Sequence, residues 1–293
     1  MSKGQINTLR ICLLSLLLIM CLVISVQAHG KTTSPAQKPL KVFISVDMEG
    51  IWGVVHGNQC SAESPEYQLA RKWMAEDTNA VISGLLEAGA TEVVVNDSHG
   101  SMRNIIASEL DPRASLISGS PGYHARAGSA PAILDHTISG AVIYSIKING
   151  IEMPELGINA AIAGYYQVPV IMLTGDSETC RQAKEILGTN LTALPVKEAV
   201  GRFAARNFPR EKVLSDLKEG AKKAISSLDK FEPYQLKPPY QFEVNFHNSN
   251  QAQAGLLVPG VKRMAPRTLS FATQDYLEGF KLLRALISLA SGS

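Results

Sequence analysis

The stretch "KVFISVDMEG", Lys41–Gly50, runs from β-branched and aromatic residues into two acids set two positions apart. Val42 to Val46 has the composition of a short buried strand. Successive strand side chains point to opposite faces, so Asp47 and Glu49 project the same way if the extended conformation persists through Met48. Gly50 and Gly53 then permit a sharp exit of the backbone. Taken alone, an Asp-x-Glu at a strand end is more often a solvated terminus than half of a metal site.

Downstream, Ser64-Pro65 offers a cap and a first-turn proline for a helix. Its Leu69, Trp73, Met74, Val81 and Leu85 recur at helical spacing as far as Gly89. "TEVVVND", Thr91–Asp97, is a second buried strand. Strand, helix and strand in one sheet make a right-handed parallel crossover. In "AVIYSIKINGIEM", Asn149-Gly150 lies between alternating apolar runs and predicts a tight hairpin. A small-residue helix from Pro154 to Tyr166, the strand "PVIMLTGD" and a helix from Ser177 to about Leu187 follow. The remainder is less regular: an amphipathic helix near Glu211 to Leu228, the strand "FEVNFH", and a closing helix with Tyr276, Phe280, Leu283 and Ile287 on one face. The expected fold is α/β: a mixed, largely parallel sheet flanked by helices, with a smaller C-terminal α+β subdomain and a soft boundary near 190–200.

Of the 293 residues, 45% are hydrophobic and 18% charged, the balance of a globular chain with a sizeable core. Residues 1–28 stand apart. Lys3 and Arg10 precede an apolar run from Ile11 to Val26, and Val26-Gln27-Ala28 suits a cleavage site, which together indicate a signal peptide and a periplasmic or secreted protein. A retained membrane anchor is the alternative; cleavage would leave no stable membrane association. Residues 29–39 form a polar lead-in, and the folded domain is expected to span 40–293. Loss of Lys3 and Arg10 takes the formal net charge from +2 to about zero, which argues against a nucleic-acid partner. Cys60 and Cys180 remain, too few for a disulfide scaffold, and either one bridge or two free thiols suits the sequence.

The second strand ends like the first, in "VVVNDSHG", so His99 falls beside Asp47 and Glu49 if the two strands are neighbours. Open α/β sheets bind ligands beyond the carboxyl ends of their strands. Two further histidines, His124 and His136, lie in "GYHARAGSAPAILDHT", and Glu155 heads the helix after the hairpin. An acid there also complements the helix dipole, and Asp135-His136 also suits a turn or a helix cap. Together, however, carboxylates and imidazoles without a thiolate are the ligands of hydrolytic dinuclear centres.

"SVDMEG", "VNDSHG", "GYHARAG" followed by "DHT", and "PELGINAAIAGYYQVPVIMLTGD" resemble, in order, motifs of the dizinc D-aminopeptidases of the bacterial dipeptide-transport operon. The likeness runs from about Lys41 to the C-terminus. It implies that Asp47, Glu49, His99, His124 and Glu155 bind two zinc ions per subunit, with Asp47 bridging, and that His136 is catalytic. It further implies removal of N-terminal D-amino acids such as D-alanine from short peptides, by a homo-oligomer of the decameric-ring type. Two other readings share these residues: a degenerate, non-catalytic peptide-binding protein, and a dinuclear metal amidase with another exported substrate. There is one departure. In the family, a helical stretch and an apolar strand separate the segment matching "SLISG" from the "GYHA" motif. Here Ser118-Gly119-Ser120-Pro121 leads directly into Gly122-Tyr123-His124, and the missing piece is on the order of twenty residues. Either the strand Ala114–Ser118 takes that place, or His124 sits on a looser loop and the second metal is weakened.

Overall fold

Two large hydrophobic clusters organise the protein in the computed structural model, which describes residues 39–119 and 142–293. The first is built on a parallel sheet of β1 (Lys41–Val46), β2 (Glu92–Asp97) and β3 (Ser115–Ile117), in the order β1-β2-β3. Helix α1 (Tyr67–Glu87) makes the crossover from β1 to β2. Met74, Ile82 and Leu85 of α1 are buried with Val93 and Val95 of β2, as their spacing requires.

The helix differs from expectation at its start and on part of its face. It begins at Tyr67, with Glu66 as an N-cap that makes no side-chain bond. Residues 61–67 instead form successive turns, Ser64 N–H to Ser61 C=O and Tyr67 N–H to Ser64 C=O, so Ser64-Pro65 precedes the helix. Leu69, expected on the apolar stripe, is 50% exposed, because Ala70 and Met74 take the inward positions.

Past residue 142, β4 (Ile143–Ile148) and β5 (Ile151–Glu152) form the predicted hairpin. Asn149 and Gly150 both have positive φ, 54° and 79°, the geometry a two-residue turn needs. Helix α2 (Glu155–Tyr165) follows, then β6 (Met172–Asp176) and α3 (Ser177–Leu187), the latter capped by Asp176 through Thr179 N–H. Strand β7 (Thr192–Gly201) pairs parallel with β6 and antiparallel with β8 (Ala204–Asn207). The soft boundary expected near 190–200 therefore falls inside a paired strand, and Leu40–Ser293 form one compact unit.

After α4 (Arg210–Ser226) come β9 (Tyr240–Phe246), α5 (Ser249–Gly255), β10 (Lys262–Ala265), β11 (Thr268–Thr273) and α6 (Tyr276–Ser291). Strands β10, β11, β9, β4 and β5 make an antiparallel sheet in that order, so this α+β part draws on two separated segments of chain. Tyr276, Phe280, Leu283 and Ile287 are buried on one face of α6, as expected. Phe242 and Phe271 are directly opposite across β9 and β11, their rings stacked 4.8 Å apart, a pair that contributes roughly 0.2–1 kcal/mol relative to two alanines. The fold is mixed α/β, with parallel pairing among the described residues in β1-β2-β3 and β6-β7.

The two helices over the first cluster approach closely at Gly84 of α1, where an added Cβ would overlap the Lys218 carbonyl of α4. Gly84→Ala is expected to destabilise the protein by about 1–3 kcal/mol through that overlap. Gly201→Ala, with nothing within 4 Å of the new carbon, should stay within about 0.5 kcal/mol of the parent. Urea unfolding of the two variants checks the contrast.

Candidate metal centre

The site is set by strand pairing. Val46 of β1 is in register with Asp97 of β2, so the chain leaves both strands at the same sheet edge. Ser98 ties the two exits together: its N–H and its hydroxyl both donate to the Val46 carbonyl, at 2.9 and 2.7 Å.

Beyond Asp47 the extended conformation does not persist. Met48–Gly50 forms a single 3-10 turn capped by Asp47, whose Oδ1 accepts from Met48 N–H at 2.9 Å. Fully buried Met48 fills the interior and pins this turn. The two acids nevertheless converge, by a route other than strand alternation. Asp47 Oδ1 and Glu49 Oε2 each lie 2.9 Å from His99 Nδ1. The His99 side chain is 10% exposed, against 35% for Asp47 and 53% for Glu49, so the imidazole is the floor and the carboxylates face solvent.

His99 is held by an internal network. Asp97 is fully buried, and its carboxylate accepts from Asn104 N–H (2.5 Å), Ile105 N–H (2.7 Å) and Asn104 Nδ2 (2.7 Å). Asn104 Nδ2 also donates to the His99 carbonyl at 2.6 Å, while Tyr67 donates its hydroxyl to Asn104 Oδ1 at 2.6 Å. The loop 97–105 is thus closed on itself behind the histidine. Burial pushes the His99 pKa down, but the hydrogen bonds and charges of Asp47 and Glu49 outweigh it and raise it to about 10.

A thiol joins the group. Donor atoms of Glu49, Cys60 and His99 lie within 4.8 Å of one another, and the Cys60 carbonyl is 3.2 Å from His99 Nε2. Burial and the Glu49 and Asp47 carboxylates push the Cys60 thiol up to about 12. Nothing in the local sequence marks Cys60, which arrives through the irregular chain between β1 and α1. Cys60 and Cys180 are both free.

The geometry joins Asp47, Glu49 and His99 directly. Glu155 is half-buried in the first turn of α2, with Pro154 as N-cap. His124 and His136 lie outside the described residues. The donor set fits a divalent cation: two carboxylates already converge on one imidazole nitrogen, and the imidazolium charge stands where a cation would balance them.

The chain matches the D-aminopeptidase family over residues 40–121 and 122–285. It belongs to that family. A D-aminopeptidase of Bacillus subtilis (strain 168) is 34% identical over 273 aligned positions, which take in 86% of this chain and 98% of the relative. The solved structure of the Zn-dependent D-aminopeptidase DppA from Bacillus subtilis, described as a self-compartmentalizing protease, superposes with a TM-score of 0.79 at 32% identity. That superposition covers 87% of this chain and 99% of the other. The two matched segments of the D-aminopeptidase family abut between Pro121 and Gly122, at the shortened connection ahead of His124.

Asp97→Ala would leave three donors around Asn104 and Ile105 without an acceptor in the interior. It should cost about 3 kcal/mol or more, whereas Asp97→Asn, which keeps one acceptor oxygen, should cost less. Urea midpoints of the two variants give the ordering.

Proposed function

We infer that this protein is a zinc-dependent aminopeptidase that releases N-terminal D-amino acids, such as D-alanine, from short peptides. The observation that carries the reading is the convergence of Asp47 and Glu49 on His99 Nδ1 at adjacent strand ends, in a chain of the D-aminopeptidase family. The zinc assignment is supported by the Zn-dependent relative and by a donor set of carboxylates and imidazole.

In this reading Asp47, Glu49, His99, His124 and Glu155 would hold two zinc ions. When bound, zinc supplies Lewis acidity at the scissile carbonyl and charge that offsets the clustered carboxylates. The chain's own groups do the rest. His99, buried and fixed by the loop 97–105, gives the centre a rigid base. Asp47 and Glu49 stay open to solvent, where a peptide can reach them. His136 delivers a proton to the departing amine nitrogen.

The N-terminal segment 1–28 supports export to the periplasm or beyond, and hence D-alanine peptides from wall turnover as substrates. The self-compartmentalizing relative supports assembly into a homo-oligomer, with a decameric ring as its expected form.

The mature protein supplied with zinc is expected to cleave D-Ala-D-Ala and D-Ala-Gly and to leave L-alanyl dipeptides intact. A chelator should abolish turnover and added zinc restore it. His136→Ala should lower kcat by about 10²–10⁴-fold with zinc content unchanged. Turnover of L-alanyl peptides with D-peptides untouched would refute the stereochemical assignment, and an unimpaired His136→Ala would remove that residue from its role.

A further inference from the structure

Behind Glu49 the backbone forms a cup of carbonyl oxygens, and a lysine fills it. Lys197 of β7 is only 4% exposed. Its ammonium donates to the carbonyls of Glu49 (2.6 Å), Ile51 (2.9 Å) and Val54 (2.5 Å). An ammonium carries three protons, so all of its donors are spent on backbone oxygens of one short segment.

Strand β7 is shaped to deliver this side chain. Gly175 pairs with Pro195 and Asp176 with Lys197, so one residue is extra at Val196. Val196 and Lys197 are consequently both buried, where regular alternation would turn one of them outward. The segment from Glu49 to Val54 has no ladder partner of its own for these carbonyls. Three further groups are met by side chains: Trp52 N–H donates to Asp77 Oδ2 at 2.9 Å, Gly53 N–H to Asn207 Oδ1 at 3.3 Å, and Gln59 Nε2 to the Gly53 carbonyl at 3.1 Å. Lys197 is the cationic member of this scaffold and the one that grips the backbone of Glu49, the candidate ligand. Burial pushes its pKa down, opposed by Asp176, Cys60, Asp77 and Glu49.

We propose that Lys197 is a positioning residue of the metal centre, its ammonium fixing the backbone from Glu49 to Val54 and thereby the place at which Glu49 presents its carboxylate beside Asp47 and His99. The proposal rests on the zinc aminopeptidase reading. Groups that orient metal ligands typically change affinity by about 10–100-fold when removed.

The test compares the wild-type protein with Lys197→Met and Lys197→Gln. Zinc affinity is measured by competition with a chromophoric chelator, folding by urea unfolding, and kcat and KM on D-Ala-D-Ala at saturating zinc. Lys197→Gln keeps two amide protons and carries the comparison if Lys197→Met does not fold. The expected result is cooperative unfolding, zinc binding weakened about 10–100-fold, and a fall in kcat with KM little changed. A folded variant with wild-type zinc affinity overturns the positioning role and leaves the enzyme reading intact. A wild-type protein that binds no zinc overturns both.

Discussion

The parallel pairing of Val46 with Asp97 decides where every group of the centre can stand. Side chains alternate along a strand, so a slip of one residue would turn the buried valines of β2 outward and shift the point at which β2 ends relative to the end of β1. The register is protected by burial: Val93 and Val95 of β2 are in the interior, and α1 and α4 cover them with Met74, Ile82, Ala221 and Ile225. The apolar core therefore specifies the geometry of a polar site at its edge. Ser98 adds a local lock, since both of its donors reach the last carbonyl of β1.

Much of this was legible in the sequence where periodicity was strong and local. Helix α3 has the expected limits, Ser177 to Leu187, α6 buries the expected stripe, and Asn149-Gly150 turns where it should. Asp47, Glu49 and His99 were visible as matching strand ends. Features created by tertiary contact were not. The 3-10 turn at Met48 looks like strand alternation on paper, because a buried methionine flanked by two acids has period two. Strand β10, "KRMA", is exposed throughout and carries no apolar alternation; only pairing with β11 makes it a strand. Cys60 and Lys197 have no local signature, since each reaches the centre from a different part of the chain.

The match to the D-aminopeptidase family divides into two segments along this chain. The alignment with the Bacillus relative is longer than the share of this chain it takes in, so that relative has residues without a counterpart here. The two matched segments meet at Pro121 and Gly122. Glu155 does not depend on this junction for its anchorage. Helix α2 is bound into the antiparallel half by buried Ile158 and Ile162, and Tyr276 donates its hydroxyl to the Ile158 carbonyl at 3.0 Å. His124 and His136 follow that junction directly in the chain.

Three acids end the two strands, and their surroundings divide them between two jobs. Asp97 is sealed from solvent with its oxygens engaged by Asn104 and Ile105, so its charge serves to close a loop. Asp47 and Glu49 keep solvent-facing carboxylates that meet at one histidine nitrogen. Two like charges held that close require a positive partner. An imidazolium can supply it from the floor of the site and the Lys197 ammonium contributes from behind, through the Glu49 carbonyl. A divalent cation placed between the carboxylates would satisfy the same demand more fully, because it engages both directly while the lysine charge stays behind the backbone. The arrangement of fixed positive charge behind and open carboxylate oxygens in front favours a cation arriving from the solvent side, which is also the side from which a peptide must come.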